Sequence, residues 1–341
     1  MQSNIQQNYA DPPNFNIKQL HELFADELID VKKIISDITK NNQSPAVIGQ
    51  VTNQLLGGGG KMLRPLLTLI SARLCNYTGE HHIALAAAVE LMHTATLLHD
   101  DVVDQSELRR GVKTANEVWG NKTSVLVGDF ILGHAFSLMV SSQSVETLNI
   151  LSNASIIIAE GEVKQLDSLS NLSINKAQYI DIITAKTATL FSAACEICPV
   201  IANSDVKYRN ALKEFGLNLG IAFQIIDDML DYSPFTDDIG KNIGDDFQES
   251  KVTLPIILAF DLTSNHQEEE FWHRTIIQKT QSAEDIHQAI TYMKNNNIFN
   301  ITKKIASDYI KKAKDNLTIF AESEEKTLLE NLLNFVINRS H

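Results

Sequence analysis

Two short acidic runs hold the residues best placed to do chemistry. In His99-Asp100-Asp101-Val102-Val103-Asp104 three carboxylates close the apolar stretch from Ile83 to Leu98. On a helix Asp100 and Asp104 stand one turn apart, and Asp101 lies about 100° round from Asp100. All three can then reach one small volume, where like charges at this spacing repel and call for cations. The same spacing recurs in Asp227-Asp228-Met229-Leu230-Asp231, after the apolar run from Leu217 to Ile226. An oxygen-only set of carboxylates suits Mg²⁺ rather than zinc. A single acidic run can simply end a helix in solvent. Two at matched spacing, each behind an apolar helix, point to a shared metal site.

Basic residues stand beside these runs. Lys61 and Arg64 follow Gly57 to Gly60, Arg109 and Arg110 follow the first run, and Lys186 sits in Ala185-Lys186-Thr187-Ala188 on an otherwise apolar segment. Arginine offers phosphate oxygens a planar donor fork and lysine a point charge. Together they suffice for two diphosphates, one bridged through metal to carboxylates and one held by lysine and arginine. His93, two helical turns before Asp100, also fits a hydrogen-bonded core histidine, and Gln224 also fits a cross-link between helices. The crowding of Asp237-Asp238 and Asp245-Asp246 beside Lys241 suits a loop that orders over a diphosphate.

The elements that must position these groups read as helices throughout. With 341 residues, 44% apolar and 21% charged, the chain can bury a sizeable core and has a globular balance. Leu20, Leu23, Phe24, Leu28, Val31, Ile34 and Ile35 predict one helix over 17–39. Further helices are predicted at about 45–56, 65–74, 124–141, 145–169, 174–201 behind Ser173 as cap, 205–230, 254–262, 268–279, 283–295, 301–320 and 324–338. Thr114 with Glu117 reads as a capping box. Residues 1–16 read as a disordered arm ending at Pro12-Pro13, and 17–341 as one all-α domain, with inward carboxylates sharing metal in a helical core. No segment has a strand pattern.

The net charge of −13 argues against nucleic acid as a partner, and no polybasic run suggests an anionic membrane surface. Met1 to Asn16 has no apolar core of a signal peptide, and no uninterrupted apolar run reaches membrane-spanning length. A cytoplasmic enzyme without a transmembrane segment fits best. Cys195 and Cys198 form a C-x-x-C inside a helical run with no second pair, so buried structural cysteines are expected.

The motifs GGGGKMLRP, ELMHTATLLHDDVVDQSELRRG, SVLVGDF, AKTATL, FQIIDDMLDY, GKNIGDDFQESKVTLP and the tail NFVINRSH resemble those of the trans-polyprenyl diphosphate synthases. The match is close over about residues 50–260, and HTATLLHDDVVD and SVLVGDF look most like the bacterial long-chain branch that makes an octaprenyl or related quinone side chain. The resemblance implies a single large helical bundle of the isoprenoid synthase type around a central cavity, and a homodimer. It also implies head-to-tail condensation of isopentenyl diphosphate with an allylic diphosphate such as farnesyl or geranyl diphosphate. Carried over by residue, Asp100 and Asp104 hold two Mg²⁺ ions with Asp101 in support, and Asp227 binds a third with Asp228 and Asp231. Arg109, Lys186, Thr187, Gln224 and Lys241 touch the allylic diphosphate, and Lys61, Arg64, His93 and Arg110 hold isopentenyl diphosphate. Lys251 matches a lysine near this site, but Ser250 stands where the family usually has glycine.

Ala95 and Thr96, about one turn before Asp100, are small where a bulky aromatic in this family closes the product pocket. Ala95 also fits plain helix packing. The resemblance implies a deep pocket, floored by Met92, Phe136 or Met139, and an octaprenyl (C40) product; the alternative is a shorter chain of about C15–C20. Another class I terpenoid synthase would carry a different second metal motif, and a non-catalytic partner subunit would carry degraded acidic runs. Both runs here are intact.

Overall fold

Periodic apolar residues become helices along almost the whole of the computed structural model, which describes residues 17–40, 44–57, 61–109, 111–233 and 244–339. The expected N-terminal arm, Arg110, Lys241 and Asp237-Asp238 lie outside the described residues. The chain begins with α1 (Ile17–Leu23), α2 (Ala25–Thr39), α3 (Ala46–Gly57), α4 (Leu63–Leu74) and the long α5 (His81–Val103). A hairpin of β1 (Leu108–Arg109) and β2 (Val112–Lys113) leads to α6 (Ala115–Trp119), α7 (Asn121–Ser141) and α8 (Val145–Ser168). Next come α9 (Lys176–Ile183), a π-helical turn (Thr184–Ala188), α10 (Thr189–Ile201) and α11 (Val206–Leu230). The remainder is α12 (Asp245–Gln248), α13 (Leu254–Asp261), α14 (His266–Trp272), a second π turn (His273–Ile277), α15 (Asp285–Asn295), α16 (Ile298–Leu317) and α17 (Glu324–Asn338).

Several local expectations are corrected. The helix expected over 17–39 breaks at Phe24, which is fully buried with the Arg73 guanidinium 4.1 Å above its ring. Anchoring an aromatic overrides continuous periodicity there. Thr114 does not cap α6 through its side chain; its hydroxyl donates instead to the Ser106 carbonyl at 2.6 Å and fastens the hairpin. Asn175, not Ser173, caps α9, with Gln178 returning the second bond of the box. The run expected over 174–201 is not one α-helix, because the π turn inserts an extra residue around Lys186. The short hairpin is the strand structure that the sequence did not signal.

Two hydrophobic cores share α11. The first is filled from α1–α5, α7, α8, α10 and α17 and takes Leu212, Phe215 and Leu219 of α11. The second gathers α9 and α13–α16 around Ile221, Ile225 and Ile226 of the same helix. Each fully buried aliphatic side chain of this kind contributes about 1.5–3 kcal/mol. Helices α5 and α11 are thus pinned by packing just where each acidic run begins. Cys195 and Cys198 are buried in α10, and the Cys198 thiol donates to the Thr68 carbonyl at 3.1 Å. Burial pushes the Cys195 thiol up to about 12, away from any reactive thiolate.

Helix α7 is long and apolar enough to cross a membrane by length and composition alone, although Asp129 and His134 interrupt its apolar run. It lies tightly along α5: the Ser124 hydroxyl donates to the Leu98 carbonyl at 3.1 Å, and a Cβ on Gly128 would fall 2.3 Å from the His99 ring.

Candidate active site

Asp104 and Asp231 are the C-cap residues of α5 and α11, and neither helix has a basic residue in its last turn. The negative end of each helix dipole therefore adds to the carboxylates, and the site demands cations from elsewhere. In the first run, Asp100 lies 3.6 Å from the Lys186 ammonium, which also donates to Glu162 of α8 at 2.7 Å. Burial, then the neighbouring Asp104, holds the Asp100 carboxyl above its ordinary range against the pull of Lys186. Burial and the Asp100 charge push Glu162 up to about 7. Asp101 leaves the volume that the spacing allowed it to share. It is fully buried, and its Oδ1 accepts from Arg109 Nε at 2.9 Å and Nη2 at 2.8 Å. The hairpin folds Arg109 back onto the helix.

The second run splits in the same way. Asp227 keeps 44% of its side chain exposed and accepts from Arg339 Nη2 at 2.8 Å. Asp228 is 3% exposed, with Oδ2 accepting from the Tyr179 hydroxyl at 2.7 Å and Oδ1 from Gln224 Nε2 at 2.6 Å. Burial, then the charge of Asp246, pushes its carboxyl up to about 7. Asp231 accepts from the Asp246 backbone N–H at 3.1 Å, and Lys251 donates to the Asp246 carboxylate at 2.8 Å. Burial opposes the Lys251 charge, but Asp246 and Asp228 outweigh it and hold the ammonium well above its usual range. Ser250, before it, takes the left-handed conformation at φ 56° that glycine would occupy more easily. Burial and, more weakly, the Asp104 charge push Glu249 up to about 7, and the second run reaches one cavity through Asp228. Its wall includes Lys186, Thr187, Gln224, Asp228 and Lys251.

The π turn that carries Lys186 and Thr187 is wedged between α8 and α11. A Cβ on Gly161 would meet the Lys186 backbone nitrogen at 2.8 Å, and one on Gly220 would meet the Ala188 Cα at 2.6 Å. Only glycine permits that approach.

A second basic cluster sits on aromatic rings. The Arg64 guanidinium lies 4.5 Å from the Phe191 ring and that of Arg339 4.2 Å from Phe223, with the two rings 5.3 Å apart. Burial lowers Arg64 to about 10, while Glu90 and Asp227 sustain its charge. Arg64 and Arg339 each have a buried Nε without a protein partner. Lys61 lies 5.4 Å from the Phe335 ring of α17. His93 is half-buried on α5, and its carbonyl accepts from the Thr96 hydroxyl at 2.8 Å. Ala95 is 1% exposed; Met92 and Met139 are buried, and Phe136 is partly buried.

Among the described residues no three carboxylate, histidine or cysteine side chains converge closely enough to cage a metal unaided. Carboxylate oxygens at two negative helix ends nevertheless fit Mg²⁺, which is usually held by one or two carboxylates together with water and substrate phosphates. Glu162, Tyr179 and Arg339 were not singled out from the sequence. For Glu162 the available signal was Gly161, a helical glycine whose lack of Cβ marks a close approach. For Arg339 it was the family-like tail.

Three comparisons bear on this geometry. The polyprenyl synthetase family matches residues 45–293. Octaprenyl diphosphate synthase of Escherichia coli (strain K12) is 43% identical over 244 residues, covering 72% of this chain and 75% of the relative. An all-trans-nonaprenyl-diphosphate synthase (geranyl-diphosphate specific) of Rhodobacter capsulatus is 40% identical, covering 86% and 90%. The crystal structure of a polyprenyl synthase from Caulobacter crescentus CB15, complexed with calcium and isoprenyl diphosphate, superposes with a TM-score of 0.91 at 43% identity, over 97% of this chain and all of that one. With paired acidic helix ends, a basic cluster beside them and matches over most of its length, the chain belongs to the polyprenyl synthetase family.

Proposed function

We propose that the protein condenses isopentenyl diphosphate with an allylic diphosphate, farnesyl or geranyl diphosphate, to make a long-chain all-trans polyprenyl diphosphate, octaprenyl (C40), for a quinone side chain. The observation that carries this reading is the segregation of charge into two subsites. Lys186, facing Asp100 and Glu162, lines one cavity with Asp228, while Arg64 and Arg339 lie on a tilted pair of rings beside Asp227. Asp100, Asp104, Asp227 and Asp231 would hold Mg²⁺, which when bound would supply positive charge against the departing diphosphate. Lys186 and Thr187 bind that diphosphate from the π turn, while Arg64, Arg339 and Lys61 orient isopentenyl diphosphate. Apolar walls on α5 and α7 exclude water from the carbocation left by ionisation, and the released diphosphate removes the proton. No nucleophilic side chain is needed.

The working unit is a cytoplasmic homodimer. Val125, Leu126 and Val140 of α7 and Val145, Ile156, Ile157 and Val163 of α8 form an exposed apolar face that a second copy can cover. Lys122 and Asp129 on α7 suit that role better than a membrane span. The test is mass-spectrometric sizing of products from purified protein with Mg²⁺, isopentenyl diphosphate and farnesyl diphosphate. Octaprenyl diphosphate is expected; no condensation product, or one ending at about C15–C20, defeats the assignment.

A further inference from the structure

We propose that Tyr179, which makes no contact with either diphosphate in the functional reading above, is the positioning residue that locks the second acidic run to the π turn bearing Lys186. The inference rests on that reading. Tyr179 is 3% exposed on α9, and its hydroxyl donates to Asp228 Oδ2 at 2.7 Å. The chain of bonds continues without a gap: Gln224 Nε2 donates to Asp228 Oδ1 at 2.6 Å, and the Thr187 hydroxyl donates to Gln224 Oε1 at 2.8 Å. Three elements, α9, α11 and the π turn, are thereby tied through one buried carboxylate.

A π turn needs such a tie. It carries one residue more than the α-helix around it, so helical hydrogen bonding alone specifies the direction of Lys186 less firmly. Gly161 and Gly220 let neighbouring helices clamp the backbone of the turn, and Glu162 holds the Lys186 ammonium, but none of them grips Thr187. The hydrogen-bonded chain does, because a satisfied buried network has one arrangement and breaking any link leaves a costly unpaired atom. Asp228 acts here as a brace. Both its oxygens are engaged within the protein, whereas Asp227 beside it keeps 44% of its side chain exposed.

Tyr179→Phe removes one hydroxyl and leaves the ring. In that variant kcat should fall by roughly ten- to a hundredfold, the range expected for losing a hydrogen bond to a charged group, with the KM for isopentenyl diphosphate unchanged. The rise in melting temperature produced by Mg²⁺ with inorganic diphosphate, without allylic substrate, should shrink. A lower melting temperature without ligands, with kcat and the Mg²⁺–diphosphate shift both as in wild type, overturns the proposal and leaves Tyr179 a packing residue. If Tyr179→Phe does not fold, the isosteric Asp228→Asn should give the same two losses, and a wild-type Mg²⁺–diphosphate shift there overturns it equally. Failure of the wild type itself to respond to Mg²⁺ and diphosphate would instead overturn the functional reading.

Discussion

The two acidic runs share a spacing and a place at the end of a long helix, yet the protein balances their charge by different means. In the first, Asp100 faces the Lys186 ammonium and the buried Asp101 is matched by the Arg109 guanidinium. In the second, Asp227 takes the Arg339 guanidinium, but the buried Asp228 is surrounded by the neutral donors of Tyr179 and Gln224. Burial and a nearby like charge make a carboxylate retain its proton more readily. Burial and the charge of Asp246 thus push Asp228 up to about 7, against Lys251 and the two neutral donors, while its counterpart is an ion-pair partner. Equal spacing therefore specifies where carboxylates stand without specifying their electrostatic state.

The largest expected effect tests what the runs have in common. Asp100→Ala and Asp227→Ala should each lower turnover by at least about a hundredfold, since the metal supplies several kcal/mol of charge stabilisation. Their stabilities should diverge. Asp100→Ala removes a charge that repels Asp104 and Glu162, so melting of the ligand-free protein should hold or rise. Asp227→Ala leaves Arg339, 5% exposed, without its carboxylate, so melting should fall. Wild-type turnover in either variant at saturating Mg²⁺ defeats the metal assignment.

The middle aspartates offer the sharpest contrast. Asp101→Asn breaks a buried ion pair and should cost about 2–3 kcal/mol at neutral pH, toward the lower side of such pairs because Arg109 retains 35% exposure. Asp228→Asn replaces a carboxyl already near half-protonation and should cost clearly less. Chemical denaturation of both variants at one pH decides; equal losses would erase the distinction.

A smaller effect separates the two basic clusters. Arg64→Ala should raise the KM for isopentenyl diphosphate, whereas Lys186→Ala should act on the allylic substrate and on kcat, each by roughly ten- to a hundredfold. Steady-state kinetics with each substrate varied in turn would show both variants perturbing one substrate alike if the division is wrong.

The smallest effect is pH dependence. The folded Asp228 carboxyl titrates at about 7, above its unfolded range near 4, so on acidification the folded protein takes up a proton before the unfolded chain does. This group therefore stabilises the ligand-free fold as pH falls from about 7 towards 4, and its contribution is lost as pH rises through about 7. Glu162 and Glu249, also at about 7, act with the same sign. Melting temperatures between about pH 7.5 and 5.5 should rise on acidification, less steeply in Asp228→Asn; an identical slope in that variant contradicts the assignment.

The sequence by itself determined the helices and the location of the acidic runs, because both depend on local spacing. Apolar periodicity over Ile83–Leu98 and Leu217–Ile226 requires helices whatever they pack against, and the runs that follow must cap them. Residue type and the family resemblance also picked out Lys186 and Arg64, to which the proposed function assigns the diphosphates. Only the tertiary structure decided which carboxylates are buried and which stay exposed. Burial of Asp101 and Asp228 depends on Arg109 folding back in a hairpin and on Tyr179 arriving from a different helix, 49 residues before its partner. The π turn, the pairing of Arg339 with Asp227 across 112 residues and the role of Glu162 are of the same kind. Local spacing cannot encode contacts between elements distant in sequence, and the state of a buried charge is set by those contacts.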